Sequence, residues 1–260
     1  YIQYVKFLWS ALQGDLGTSF RYAEPVMLMI YERLPATIEL AAASILLAVI
    51  FGVPLGVWAG ARPNSWVDNF GSLFGFFGIS MPNFWFGIML ILVISGYFNL
   101  LPTAGRDTYG VGGDIITGFY IVDSIIQNNW TAAWDGIKHL ILPATALGTN
   151  MMGILMRVTR SAVLEVMHED YVRTARAKGL TERVVLWHHA VRNALIPIIT
   201  VVGLELGSLL SGSIIVETVF SWPGSGALLI SAITSRDYPL ITGTVLTYTM
   251  AFVIINFTID

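Results

Sequence analysis

Between Phe70 and Leu101 the chain runs for 32 residues without a charged side chain. About 20 apolar residues are enough for a helix to cross a bilayer. Three further stretches have the same character: Pro35–Ala59, His139–Met156 and Pro239–Thr258. Inside lipid a spanning segment has no water to satisfy its N–H and C=O groups, so these stretches have to be helices or strands of a closed barrel. Their length and unbroken apolar character select helices. The composition agrees, at 55% hydrophobic and 12% charged residues with a mean hydropathy of +0.69. A soluble domain with a wet surface does not reach that balance. The fold class read from these facts is all-α, a polytopic membrane protein. The absence of Cys excludes disulfides and thiolate metal sites. A net charge of −3 argues against a nucleic-acid partner.

Two of the spans carry complications. Within Phe70–Leu101, "SMPNFWFG" breaks the apolar run, and one tilted or Pro-kinked helix with an interfacial lead-in is expected there. In Pro35–Ala59 the one charge, Glu39, is expected in the first turns of a helix that opens at Pro35, where a helix N-terminus tolerates it. A fifth span, Leu195–Val216, has Glu205 near its middle, beside the small residues Gly203, Gly207 and Ser208. A carboxylate at that depth is costly in lipid. It therefore lines an aqueous path, pairs with a neighbouring subunit, or is held protonated at a helix contact.

Orientation follows from Lys and Arg. Seven of the fourteen lie between Arg157 and Arg192, whereas 98–138 has only Arg106 and Lys138 against four Asp. The positive-inside rule puts the first segment in the cytoplasm and the second outside. Five alternating spans then give an external N-terminal segment at 1–34 and a transmembrane domain at 35–258. They also give a cytoplasmic loop at 157–194, external loops at 98–138 and 217–238, and a cytoplasmic C-terminus. An external N-terminus without a visible signal peptide calls for a further span upstream of Tyr1, which would make six.

The cytoplasmic loop concentrates charge. "EDYVRTARAKGL" (Glu169–Leu180) holds five charged side chains in twelve residues. Glu169 and Asp170 suit the start of a short helix, Arg176 and Lys178 its last turn, and Gly179 a C-terminal cap. Thr181 can cap a second helix with Glu182 in its first turn, and "VVLWHHAV" then leads back to the membrane. A short helix with one exposed face fits the groove of a partner. An ordinary cytoplasmic loop whose basic residues only fix topology would carry the same charge.

Glu169–Gly203 closely resembles the cytoplasmic loop of ATP-binding-cassette importer permeases, specifically the dipeptide/oligopeptide/nickel group. Gly179 matches the glycine of that loop's EAA motif. Arg173 stands at the motif's Glu position and Ala175 at its second Ala, as in the peptide/nickel branch. "GDLGTSF", "RLPATIELA", "GISMPNFWFG", "HLILPATALG", "MRVTRSAVLEV", "ETVFSWPGSG" and "RDYP" extend the resemblance over nearly the whole chain. It implies the MetI-like fold of type I importer permeases, six spans in the family and five here, in a bacterial inner membrane. It implies a second homologous permease subunit, two cytoplasmic ATP-binding subunits that carry ATP and Mg, and a periplasmic peptide-binding protein. It also implies an ATPase-coupling role for Glu169, Asp170, Tyr171, Arg173, Ala175, Arg176 and Gly179. The length of 98–138 is similar to the dipeptide-permease version, while nickel and glutathione permeases share the architecture.

The chain itself shows no nucleotide site. A P-loop requires Gly-Lys-Ser/Thr, and none of Lys6, Lys138 and Lys178 follows a Gly. No H-E-x-x-H or G-x-S-x-G pattern is present. The expectation is a transport subunit with no cofactor of its own and no enzymatic activity. Ser80, Asn83, Asn150 and Glu205 are candidates for a translocation path, with helix–helix contact as the competing role.

Overall fold

The computed structural model describes residues 5, 7, 9–11, 13–108 and 111–259, with the backbone alone at 210–212. Among the described residues no strand forms, and a single bridge joins Thr18 and Pro25. The element order is α1 (Val26–Ala61), α2 (Trp66–Ser80) and α3 (Asn83–Leu90), which continues as a π-helical turn over Ile91–Tyr97. α4 (Tyr120–Ile126), α5 (Trp130–Val166) and α6 (Asp170–Ala177) follow. α7 starts at Glu182–Val184, passes through a π-helical stretch at Val185–Val191 and runs on as Arg192–Val219. The last two are α8 (Ser225–Thr234) and α9 (Tyr238–Ile259). Among the described residues four helices are long and apolar enough to cross a membrane, and five spans result if the bent α2–α3 pair is one.

Three expectations need correcting. α1 starts at Val26, so Pro35 lies inside the helix rather than at its first position. Glu39 is consequently far from the helix start, and its charge is met by Arg106 instead, with Arg106 Nη2 2.6 Å and Nε 2.9 Å from Glu39 Oε2. The run Phe70–Leu101 is not one kinked helix but two helices meeting at 104°. Met81 is extended (φ −89°, ψ 130°), the conformation that a following proline imposes by crowding the α region.

The core is the seam between α1 and α5. Gly52, Gly56 and Gly60 recur every fourth residue on α1 and so share one face. A Cβ on each would lie 2.9, 2.6 and 2.7 Å from the carbonyl oxygens of Met152, Met156 and Arg160. From the other side, a Cβ on Gly148 would lie 2.7 Å from the carbonyl of Ser44. Small residues of this kind let helix backbones approach within a membrane, where association depends on van der Waals contact rather than on exclusion of water. Leu40, Ala48, Leu147, Met151 and Leu155 fill the space beside the seam. α2 uses the same device, with Gly78 against the carbonyl of Thr149.

A methyl group at the seam should therefore be felt. Gly56→Ala should cost about 1–3 kcal/mol, the usual penalty for overpacking. Gly96→Ala is the control, since its nearest neighbour would be the Ile91 carbonyl at 3.6 Å. Thermal unfolding in detergent should show a lowered midpoint for the first and none for the second.

Candidate coupling surface and transport path

α6 is held from beneath and open above. Val172 and Ala175 are buried together with Val185, packed by Val166 and Met167. Glu169, Asp170, Tyr171, Arg173, Arg176 and Gly179 are all exposed. The structure thus divides the seven residues expected to couple into six that are exposed and Ala175 as part of the seat. The helix end is a two-bond cap: the Gly179 amide donates to the Arg176 carbonyl (2.9 Å) and the Leu180 amide to the Ala175 carbonyl (3.4 Å). Gly179 has φ +80°, the left-handed conformation this cap requires. Arg176 reaches across the turn to Glu182, at 2.8 and 3.3 Å. Arg173 stands 3.6 Å from Asp170, an exposed pair that contributes little to stability. Thr181 occupies the cap position of α7 by its backbone, but its side chain makes no capping bond.

The same end of the bundle is pinned by Asp68. Its carboxylate accepts from the Asn64 amide (2.9 Å), from Arg160 Nη2 (2.8 Å) and from Arg160 Nε. Ser65 caps α2 by accepting from the Asp68 amide at 3.2 Å. The loop between α1 and α2 is thereby tied to α5 ten residues before α6 begins.

The path candidates lie on helices that pack against one another: Asn83 on α3, Asn150 on α5 and Glu205 on α7. All three are partly buried, while Ser80 is exposed. No hydrogen bond or ion pair joins them to one another among the described residues. Gly203 and Gly207, which flank Glu205, sit under Ile259 and Phe252 of α9.

Sequence reasoning missed the buried acid at the opposite end. Glu217 is fully buried and accepts from Thr37 Oγ1 (2.9 Å), Ser213 Oγ (3.1 Å) and the Ala227 amide (3.0 Å). The Ser225 amide donates to Thr37 Oγ1 at 2.9 Å, and Trp222 Nε1 donates to the Ala36 carbonyl at 2.8 Å. A Cβ at Gly224 would collide with the Glu217 carboxylate. "RLPATIELA" and "ETVFSWPGSG" are therefore two sides of one contact, between α1 and the turn joining α7 to α8. The available signal was a Glu at the close of an apolar run, followed by Trp-Pro-Gly.

The segment between α3 and α5 folds onto the same end. Arg106 bridges Glu39 and the Gly118 carbonyl (2.9 Å), and Glu39 also accepts from the Ile121 amide at 3.0 Å. Asp123 accepts from the amides of Ile116, Thr117 and Gly118 at 3.1, 2.8 and 3.0 Å, and from Thr117 Oγ1 at 2.5 Å. Among the described residues no group of His, Cys, Asp and Glu is arranged to hold a metal ion.

This architecture, a glycine-seamed helical bundle with a short exposed helix at one end, is that of a polytopic helical membrane protein. The chain matches the family described as "Binding-protein-dependent transport system inner membrane component" over residues 52–260, and it belongs to that family. It is 44% identical over 260 residues to the dipeptide transport system permease protein DppB of Alkalihalophilus pseudofirmus, covering 100% of this chain and 78% of the relative. It is 42% identical over 261 residues to the protein of the same name in Escherichia coli K12, covering 99% and 77%. The oligopeptide transport system permease protein AppB of Bacillus subtilis is 43% identical over 242 residues, covering 93% and 71%.

Asp123 supplies a pH test. Burial raises its carboxyl, but the Thr117 hydroxyl and the three amides outweigh that and hold it below the ordinary carboxylate value. A carboxyl lowered on folding contributes stability above its unfolded pKa of about 4, and that contribution fades as pH falls through the lower folded value. A spin label on Ile115→Cys, a position 87% exposed, should keep constant mobility down to about pH 4 and loosen below it. With Asp123→Asn added, the label should be mobile at every pH.

Proposed function

We propose that the chain is the permease subunit of an ATP-driven, binding-protein-dependent importer of dipeptides and short oligopeptides. The observation that carries the substrate class is the 44% identity to a dipeptide permease along the whole chain. On this reading a second homologous permease completes the pore. A periplasmic peptide-binding protein delivers substrate to the end built by Arg106, Glu217 and Trp222. Two cytoplasmic ATPase subunits bind ATP and Mg, and the permease performs no catalysis of its own. The C-terminus lies in the cytoplasm.

The exposed residues of α6 supply the contact with one ATPase. Motion of that ATPase pushes on Val172 and Ala175, which pass it to Val185 and so to α7, while Asp68–Arg160 keeps α2 and α5 moving together. Discrete rearrangement of packed helices about such a contact is how interfaces convert a local push into a global change. Glu205 lines the path and meets the amino group of the peptide, while Gly203 and Gly207 beside it hold α7 against α9.

The reading is tested by reconstituting the complete importer in proteoliposomes with ATP inside the compartment that faces the ATPases. Labelled dipeptide should accumulate on addition of the binding protein. Accumulation of nickel or glutathione in its place would replace the substrate assignment. Two substitutions probe the parts. Gly179→Val forces a β-branched residue into left-handed backbone, costing about 1 kcal/mol or more. No neighbouring atom lies within 4 Å, so the effect comes from the backbone. Membrane insertion should be intact, with uptake sharply reduced and the ATPase more loosely bound; normal uptake at equal expression would exclude the coupling role of the cap. Glu205→Gln removes charge and keeps shape. Uptake of peptides with a free amino terminus should fall while assembly and basal ATPase activity stay near normal, and unchanged uptake across several peptides would remove Glu205 from the path.

A further inference from the structure

A cavity of about 530 Å³ opens at the end of the bundle that carries α6, beside the seat of that helix, with which it shares Met167. Its walls bring together the last turn of α1, the start of α2 and the start of α7. Trp58 and Trp187 face it, 55% and 49% exposed. Arg62 and Arg183 line it too, and neither guanidinium makes a hydrogen bond or ion pair with any described residue. Val67 and Leu186 add apolar wall. The acid at the rim, Glu182, is already engaged by Arg176 at 2.8 Å.

We propose that this cavity binds the headgroup of an anionic phospholipid from the surrounding bilayer. Arg62 and Arg183 are exposed, line one cavity and pair with no described acid, so both guanidiniums are free to take an anion there. A guanidinium presents a planar fork of donors that matches the oxygens of a phosphate. Trp58 closes the apolar span of α1 and Trp187 lies near the start of α7, so both indoles stand at the boundary between hydrocarbon and water, where Trp is favoured. The glycerol backbone and first methylenes of a lipid would lie against those indoles, Val67 and Leu186, with the phosphate between Arg62 and Arg183. Basic pockets between membrane helices are known to take anionic headgroups in this way. A soluble anion would have no use for the apolar wall. The inference needs only that the chain sits in a membrane and is independent of what it transports.

The test uses the complete importer, purified in detergent and stripped of lipid. Phosphatidylglycerol and phosphatidylcholine are titrated separately, and bound lipid is counted by native mass spectrometry. The expected result is retention of phosphatidylglycerol over phosphatidylcholine. Each near-surface cationic side chain contributes enough to lipid binding that Arg62→Gln or Arg183→Gln alone should weaken retention about fivefold, and the pair about twenty-five-fold. The pair Arg62→Lys with Arg183→Lys should restore most of it, which separates loss of charge from loss of fold. Equal retention by the wild type and the double Gln variant would overturn the proposal. So would displacement of the lipid by millimolar inorganic phosphate, which would make the site one for free anions. Loss of a partner subunit from the double Gln variant, with lipid retention unchanged, would mean that an acidic side chain of that partner fills the cavity.

Discussion

The close approach of α1 and α5 is the constraint on which the rest of the bundle depends. Without side chains at Gly52, Gly56 and Gly60, the α1 backbone comes against the carbonyls of Met152, Met156 and Arg160. The contact fixes the register of these two long helices along their length. Everything beyond either end inherits that register. At one end Arg160, the last residue of the seam, holds Asp68 and with it the loop leading to α2. At the other end α1 presents Ala36 and Thr37 to the Trp222–Ser225 turn.

Charges inside this apolar chain follow one rule with a single exception among the described residues: they are paired, surrounded by hydrogen-bond donors, or at a surface. Glu39 has Arg106 and an amide. Asp68 has Arg160 and an amide. Glu217 has no cation among the described residues but is surrounded by hydroxyls and an amide. An unpaired buried charge costs several kcal/mol, and hydrogen bonds of this number reduce that cost. Glu205 departs from the rule. It is partly buried with no partner among the described residues, which is why it is the residue whose role in transport most needs a test.

The apolar spans were legible in the sequence because length and hydropathy are local properties. So was the α6 cap, since Gly after a basic last turn carries its own signal. What was not legible depended on partners distant in sequence. Glu39 was read as a helix-start charge because Pro35 looked like a first turn. Only the fold shows that α1 begins at Val26 and that Arg106, 67 positions away, supplies the counter-charge. The α2–α3 corner was read as a kink because proline signals both a kink and a break, and packing against α5 decides between them. The glycine stripe was present as "GVPLGVWAG", but its meaning depends on which helix lies opposite. Of the proposed coupling residues, the split between the exposed face and the buried Val172 and Ala175 follows from α7 folding back beneath α6.

The central claim is that α6 is the surface through which ATP hydrolysis on another subunit reaches the membrane bundle. Because the chain contains no cysteine, single substitutions such as Tyr171→Cys, Arg173→Cys and Asn64→Cys each give it one reactive thiol from which to cross-link to the assembled ATPase. Cross-linking from positions 171 and 173, strengthened or weakened by ATP, and none from position 64 is the predicted pattern. Cross-links from position 64 alone, with α6 free in solvent, would contradict the account.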